Sequence, residues 1–213
     1  MVRAMLIIAG VYLMSYSDFK LADLVEKFGL TIEEQSGLFA HLPPISGSEL
    51  LQTILAENID LAVAMSTEKA RSELIIAPIL LEVRRRLAPN LSLFSGVEFN
   101  VDAPNGLSGY CDYLLSLSKE QLMIRAPVIA IVEAKNENLR SGLAQCMAEM
   151  VAVQLFNQQH QQPIAHIYGA ITIGTIWQFL MLKDKTIAVD LTEYYISDAN
   201  RILGILVGIL NLK

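Results

Sequence analysis

The stretch that decides the fold is VIAIVEAK, residues 128–135, in which five aliphatic residues precede an acid, an alanine and a lysine. A run that is apolar at every position predicts a strand covered on both faces, at the centre of a sheet. Successive side chains of a strand point to opposite faces, so Glu133 and Lys135 share one face and Ala134 lies on the other. Because charged groups are costly to bury without partners, we expect polar side chains near Glu133 and Lys135.

An acid on the preceding predicted strand supplies one such partner. Asp112 lies within the candidate strand 109–118, and a hairpin with residues 128–134 brings it beside Glu133. Two carboxylates at close quarters repel and raise a pKa unless a divalent cation holds them. Oxygen ligands of this kind suit Mg²⁺ or Mn²⁺. A lysine beside such an ion can orient a water molecule or stabilise developing negative charge.

Hydrophobic periodicity and turn residues predict the other elements. The predicted helices cover residues 18–28, a short segment opened by Thr31, 49–57 capped by Ser48, 67–87 with a kink or split at Pro78, 141–156 and 198–210. The predicted strands cover residues 92–101, 109–118, 128–134, 166–173, 176–182 and 186–189. The pattern predicts an α/β protein, with a largely helical first third.

These residues and this order of elements resemble the PD-(D/E)XK nuclease superfamily, the restriction-endonuclease-like fold. In that family an acid on one strand is followed on the next strand by (D/E)-x-K, as Asp112 is followed here by Glu133 and Lys135. The family's core is helix, three strands, helix and strand, and residues 67–182 are predicted in that order. Cys111 stands where the family name has a proline.

The resemblance implies a mixed sheet flanked by helices, with a helical N-terminal extension over residues 1–66 and a nuclease-like core over residues 67–213. The phrases VEAKNEN and GLAQCMAEM are most similar to a group of cyanobacterial proteins. The implied function is hydrolysis of phosphodiester bonds in nucleic acid, DNA being favoured, with Mg²⁺ or Mn²⁺ as cofactor.

The resemblance also implies roles for individual residues. Asp112 and Glu133 would bind the metal, and the carbonyl of Ala134 would join them. Lys135 would position the attacking water or the developing charge. Many members carry a glutamine on the next helix, and Gln145, ten residues beyond Lys135, matches it and would orient that group.

A glutamate on the first core helix completes the site in many members. Glu68 is the first choice, because the stretch TEKAR, residues 67–71, resembles the opening of nuclease domains in type I restriction subunits. Glu73 is the second choice. Glu82 is the third, because it lies past Pro78.

Composition limits how such a protein would meet its substrate. The chain has 213 residues, is 53% hydrophobic and carries a formal net charge of −6. It has no polybasic segment, which disfavours nonspecific nucleic-acid binding through bulk charge. Under the nuclease hypothesis, substrates are therefore narrow or delivered by a partner. The alternative is a catalytically silent nuclease-fold protein for interaction or regulation, which would form oligomers through the aliphatic stretches 5–14 and 202–210. A homodimer fits either hypothesis.

The aliphatic stretches 5–14 and 202–210 also bear on whether the protein is a membrane protein. With a mean hydropathy of +0.42 the chain is apolar, but neither stretch approaches the roughly 18–20 residues of a spanning helix. Two cysteines match neither a disulfide scaffold nor a zinc spacing, so a cytoplasmic protein with no membrane partner is predicted. Residues 5–14 follow Arg3 as in a short secretory segment but lack a good cleavage site. Met14, instead of Met1, is an alternative for the natural first residue.

Other chemistry-bearing residues favour structural roles. His41, His160 and His166 have no acid or nucleophile at triad spacing and are interpreted as surface or core filling. Cys111 and Cys146 are interpreted as small buried hydrophobes. Trp177 is predicted in the core. The run Arg84–Arg86 suits a solvated helix end better than a phosphate site.

Overall fold

The computed structural model describes residues 14–211, and in that part of the chain a mixed sheet of eight strands forms the centre of the molecule. The strands are β1 (Thr31–Gln35), β2 (Ser92–Glu98), β3 (Tyr110–Ser116), β4 (Val128–Ala134), β5 (Ile167–Thr172), β6 (Ile176–Lys183), β7 (Thr186–Asp190) and β8 (Tyr194–Tyr195). Their spatial order is β1-β7-β6-β5-β4-β3-β2, and β8 pairs with β6. The α/β class and the mixed sheet flanked by helices are confirmed.

Six α-helices are described in the same residues. They are α1 (Leu21–Phe28), α2 (Glu49–Met65), α3 (Glu68–Arg71), α4 (Ala77–Leu87), α5 (Leu143–Gln159) and α6 (Ala199–Asn211). α2 begins as predicted, since the Ser48 hydroxyl accepts from the Leu51 amide at 3.2 Å. A π-helical turn, Ser72–Ile76, joins α3 to α4. This turn confirms the predicted interruption near Pro78, the second residue of α4.

The strand pairing places β4 at the centre of the sheet. β2, β3 and β4 form an antiparallel meander, α5 crosses over, and β5 returns parallel to β4. All seven residues of β4 are buried, as its apolar run predicts. One core cluster joins α4 and α6 to Tyr113 and Val132, and the other joins α5 to Leu114 and Ile131. Because these residues alternate along β3 and β4, the two clusters cover opposite faces of the sheet.

The helix predicted from Thr31 is wrong, because this segment forms β1. The strand pairs parallel with β7, from Thr31 beside Thr186 to Gln35 beside Asp190. Four of its five side chains are exposed, so it lacks the alternation that identifies a half-buried strand. The ladder on an open sheet edge outweighs the local preference of a threonine followed by two glutamates for a helix start. Residues 14–66 thus contribute a strand to the same sheet as the rest of the chain.

α6 closes the molecule and is buried along most of its length, including Ile202, Leu206 and Leu210. A side chain added at Gly204 would collide with the carbonyl of Pro43, so the helix packs closely on the segment before α2. The proposed use of residues 202–210 for oligomerisation is therefore wrong, because this chain already covers them. Of the stretch 5–14, all but Met14 lies outside the described residues. No described helix is long and apolar enough to cross a membrane.

Candidate functional site

Lys135 is the centre of the site that the structure builds at the end of β4. Its amide donates to the carbonyl of Thr172 on β5 at 2.8 Å, which fixes the backbone. Its Nζ donates to Glu133 Oε1 at 2.5 Å and to Gln145 Oε1 at 3.1 Å. Gln145 lies in the first turn of α5, which covers this face of the sheet. The structure therefore brings together three of the predicted residues: Glu133, Lys135 and Gln145.

Glu133 is a buried carboxylate with an incomplete set of partners. It is 1% exposed, and its Oε2 atom has no hydrogen-bond partner. Burial raises the pKa of Glu133 to about 8, and the neighbouring charge of Asp112 adds to the rise while Lys135 opposes it. The orphaned oxygen marks a position where a proton or a cation would be stabilised.

Asp112 reaches the site through a local departure from the strand ladder. Regular pairing of β3 with β4 runs as far as Tyr113 beside Val132. One residue earlier, the carboxylate of Asp112 accepts from the Ala134 amide at 2.8 Å. Asp112 is thereby anchored to the residue between Glu133 and Lys135. The carbonyl of Ala134, predicted as a metal ligand, belongs to the same short segment.

The three candidate glutamates of the first core helices differ in position. Glu68 opens α3 and lines a pocket of about 310 Å³ together with Asp112. Burial raises the pKa of Glu68, Lys135 opposes the rise and Asp112 adds to it. Glu73, 60% exposed, lines the same pocket and pairs with Lys69 at 2.8 Å.

Glu82 does not join this group. Its carboxylate accepts from the Ser48 hydroxyl at 2.9 Å and pairs with Arg85 and Arg86 at 2.6 and 2.7 Å. It therefore ties α4 to the first turn of α2. The arginine run ends α4 as predicted, and two of its members bind this carboxylate.

Glu149 is a site residue that the sequence argument missed. It is fully buried on α5, and its Oε1 accepts from Gln145 Nε2 at 3.1 Å. Its other oxygen has no partner. Burial raises the pKa of Glu149 well above its ordinary value, and the nearby Glu133 adds to this. The available signal was the spacing of four from Gln145, which places both residues on one helix face.

Gly142 explains how Lys135 is held against α5. A Cβ atom there would lie 3.0 Å from Lys135 Cε and 3.0 Å from a methyl group of Ile171. The absence of a side chain at residue 142 therefore lets the 3₁₀ turn Leu139–Gly142 lie close to the lysine without displacing it. Lys135 thus packs its stem on Gly142 while its ammonium group contacts Glu133 and Gln145.

The donor set fits a hard divalent cation that is completed by other ligands. Among the described residues, no three or more His, Cys, Asp and Glu side chains are grouped to hold a metal by themselves. Mg²⁺, however, keeps several waters and is typically held by one or two carboxylates together with substrate phosphates. Asp112 and the orphaned oxygen of Glu133 offer two such carboxylates.

The remaining chemistry-bearing residues are placed largely as predicted. Cys111 and Cys146 are buried free thiols, and Trp177 lies fully buried with its indole donating to Gly174. The exposed His160 contacts the Phe156 carbonyl on its own helix.

No family model matches the chain, and no curated protein matches it.

Proposed function

We propose that the chain is a metal-dependent nuclease of restriction-endonuclease-like fold, which hydrolyses phosphodiester bonds of nucleic acid, with DNA the favoured substrate. The observation that carries the proposal is the Lys135 ammonium, held by Glu133 and Gln145 one residue from the Asp112–Ala134 contact. The order α4-β2-β3-β4-α5-β5, with β4 and β5 parallel, supports it, because the family core has the same succession.

Asp112 and Glu133 would hold Mg²⁺ or Mn²⁺, with the Ala134 carbonyl as a third ligand. When bound, the ion supplies Lewis acidity and lowers the pKa of a coordinated water. Glu133 suits this role because its Oε2 is buried and unpartnered. Asp112 suits it because its contact with Ala134 fixes the carboxylate next to the same strand end.

Lys135 would act as a fixed positive charge. Burial disfavours the ammonium form, but Glu133, Asp112 and Glu68 together raise the pKa of Lys135. A lysine that stays protonated cannot remove a proton from water, so its role is to orient water or to stabilise negative charge developing on the phosphoryl oxygens. Gln145 holds the ammonium through its carbonyl oxygen, and Glu68 faces the pocket through which water would enter.

The net charge of −6 restricts how a polyanion approaches this site. The carboxylates of Glu68, Asp112 and Glu133 outnumber the single lysine between them, so substrate binding would depend on the metal to offset their charge. A narrow substrate range, or delivery by a partner, follows from this balance.

The proposal is tested by cleavage assays with Mn²⁺ on single- and double-stranded DNA and on RNA. Wild type should cleave at least one substrate, EDTA should stop cleavage, and Asp112→Asn and Glu133→Gln should abolish it. Lys119→Ala is the matched control, because Lys119 is exposed on a loop. Absence of cleavage across the substrate set, or equal cleavage by the Asp112→Asn protein, would reject a nuclease.

A further inference from the structure

A second concave region lies at the opposite end of β4 from the proposed nuclease site. Its volume is about 670 Å³, within the range of small-molecule sites. Ile129 forms part of the wall and precedes Glu133 by four residues, about 13 Å along a strand. Ile129 and Tyr168 belong to the core cluster with α4 and α6, whereas Glu133 lies on the α5 face. The cavity is therefore separate from the proposed catalytic residues.

The wall of this cavity is mainly aliphatic. It is built from the ends of β3 to β6 and from the segment after β1, with Leu38, Leu117, Ile164 and Met181 among its members. Among the residues that the structure describes, no aspartate, glutamate, lysine or arginine lines it. Such a wall favours the apolar body of a ligand, because burying hydrocarbon is favourable and no charge needs to be desolvated.

One hydroxyl of the wall is free of protein partners. The Tyr168 residue is 3% exposed, its hydroxyl oxygen is not among the buried orphaned atoms, and no group within residues 14–211 forms a hydrogen bond with it. The other buried tyrosines in the described part of the chain each have such a partner: Tyr16 with Phe99, Tyr113 with Ser72 and Tyr194 with Asp190. Because Tyr168 lines the cavity and its hydroxyl has no protein partner, that hydroxyl is available as a donor to a bound acceptor.

Two imidazoles complete the polar part of the cavity. His41 and His166 line it, and the His166 ring centroid lies 6.3 Å from that of Tyr168. Each imidazole ring offers an N–H donor, and hydrogen bonds to a charged acceptor are stronger than those to a neutral one. With donors on this wall and no acidic side chain to compete, an acceptor that carries negative charge is favoured.

We propose that this cavity binds an aliphatic monocarboxylic acid of medium chain length. Its hydrocarbon chain lies along the aliphatic wall, and its carboxylate accepts hydrogen bonds from Tyr168 and His166. This site is independent of phosphodiester cleavage.

Titration calorimetry with decanoate tests the proposal on the full chain. Decanoate should bind one to one and saturably, decanol should bind more weakly, and acetate should not bind. Tyr168→Phe should weaken decanoate binding about tenfold, because a hydrogen bond to a charged group is lost. Tyr195→Phe is the matched control, since that hydroxyl is exposed and contacts Glu193.

A second variant fills the cavity instead of removing its donor. Leu117→Trp should prevent decanoate binding while circular dichroism and the melting temperature show a folded protein. Three results would overturn the proposal: no saturable binding of decanoate to wild type, equal affinity for decanol and decanoate, or unchanged affinity in Tyr168→Phe. None of these results depends on whether the chain cleaves nucleic acid.

Discussion

Glu82 and Glu133 are both buried glutamates, at 2% and 1% exposure, yet their surroundings are opposite. Glu82 receives hydrogen bonds from Ser48 and pairs with Arg85 and Arg86, so both of its oxygens are satisfied. Glu133 has one cationic partner, Lys135, and an orphaned oxygen. Burial raises the pKa of both carboxyls, but the hydrogen bonds to Glu82 prevail and lower its pKa, whereas Asp112 raises that of Glu133 further.

Glu82 therefore stabilises the fold, whereas burial of Glu133 is only partly compensated by its partners. A buried charge whose partners are complete ties elements together, as Glu82 ties α4 to α2. A buried carboxyl with incomplete partners lowers stability, and such groups are concentrated at functional sites. Variants of Glu82 and Glu133 should therefore respond differently in assays of stability, metal binding and cleavage.

The largest expected effect is on catalysis. Lys135→Met should lower cleavage by 10²–10³-fold, about 2.7–4 kcal/mol, because it removes an electrostatic donor acting mainly on the transition state. The melting temperature should change little, since Met keeps the apolar stem that packs on Gly142. A variant that melts far earlier than wild type, from a parent without cleavage, would instead assign Lys135 to a structural salt bridge with Glu133.

Divalent metal should stabilise the protein through Glu133 and not through Glu82. At 100 times its Kd, a bound ion adds about 2.7 kcal/mol to the free energy of unfolding. Thermal melting with and without Mn²⁺ measures the shift, which Glu133→Gln should abolish and Glu82→Gln should retain. A shift that persists unchanged in Glu133→Gln would place the ion elsewhere.

Removing the charge of Glu82 should destabilise the fold. Glu82→Gln weakens several hydrogen bonds to a charged group, which costs about 2 kcal/mol in urea unfolding. Glu133→Gln, in the absence of metal, should be neutral or stabilising, because it replaces a buried, incompletely paired carboxyl beside Asp112 with a neutral amide of similar shape. Equal destabilisation by the two substitutions would remove the distinction between the sites.

The free energy of unfolding should fall at acid pH, in part because Glu82 becomes protonated. Because the folded-state pKa of Glu82 lies below its ordinary value of 4.5, its contribution is complete above that value and is lost as the pH falls through the folded-state pKa. Urea unfolding of wild type at descending pH should show this loss. The Glu82→Gln protein should have a flatter acid limb, and a limb as steep as that of wild type would count against the assignment.

The sequence predicts the sheet well where a strand is buried and poorly where it lies at an edge. β4 is recognisable because every position is apolar, whereas β1 is mostly exposed and its identity depends on pairing with β7, over 150 residues away. In the site, the shared face of Glu133 and Lys135 follows from the alternation of side chains along β4. Of the partners of Glu82, Arg85 and Arg86 follow from helical spacing, whereas Ser48 does not, since it lies 34 residues earlier in the chain.

Glu149 is the other buried glutamate with an orphaned oxygen, and its variants test whether such a residue has a role in cleavage. Its Oε1 receives the amide group of Gln145, which leaves the Gln145 carbonyl to face Lys135. Glutamate is needed here only as an acceptor, because burial and Glu133 disfavour its charge. Glu149→Gln, which keeps an acceptor, should therefore retain most cleavage.

Glu149→Leu should lower the turnover number about tenfold without weakening substrate binding, because the amide of Gln145 would be free to rotate and its NH₂ could oppose the ammonium. The same substitution should leave the fold as stable as before or more so, since it replaces a buried, incompletely paired carboxyl with a hydrophobic group of similar volume. Single-turnover cleavage and urea unfolding of both variants measure the two quantities. Two results would make Glu149 a packing residue: loss of cleavage in Glu149→Leu together with loss of stability, or an equal loss of cleavage in Glu149→Gln. Gln145 would then be positioned by α5 alone.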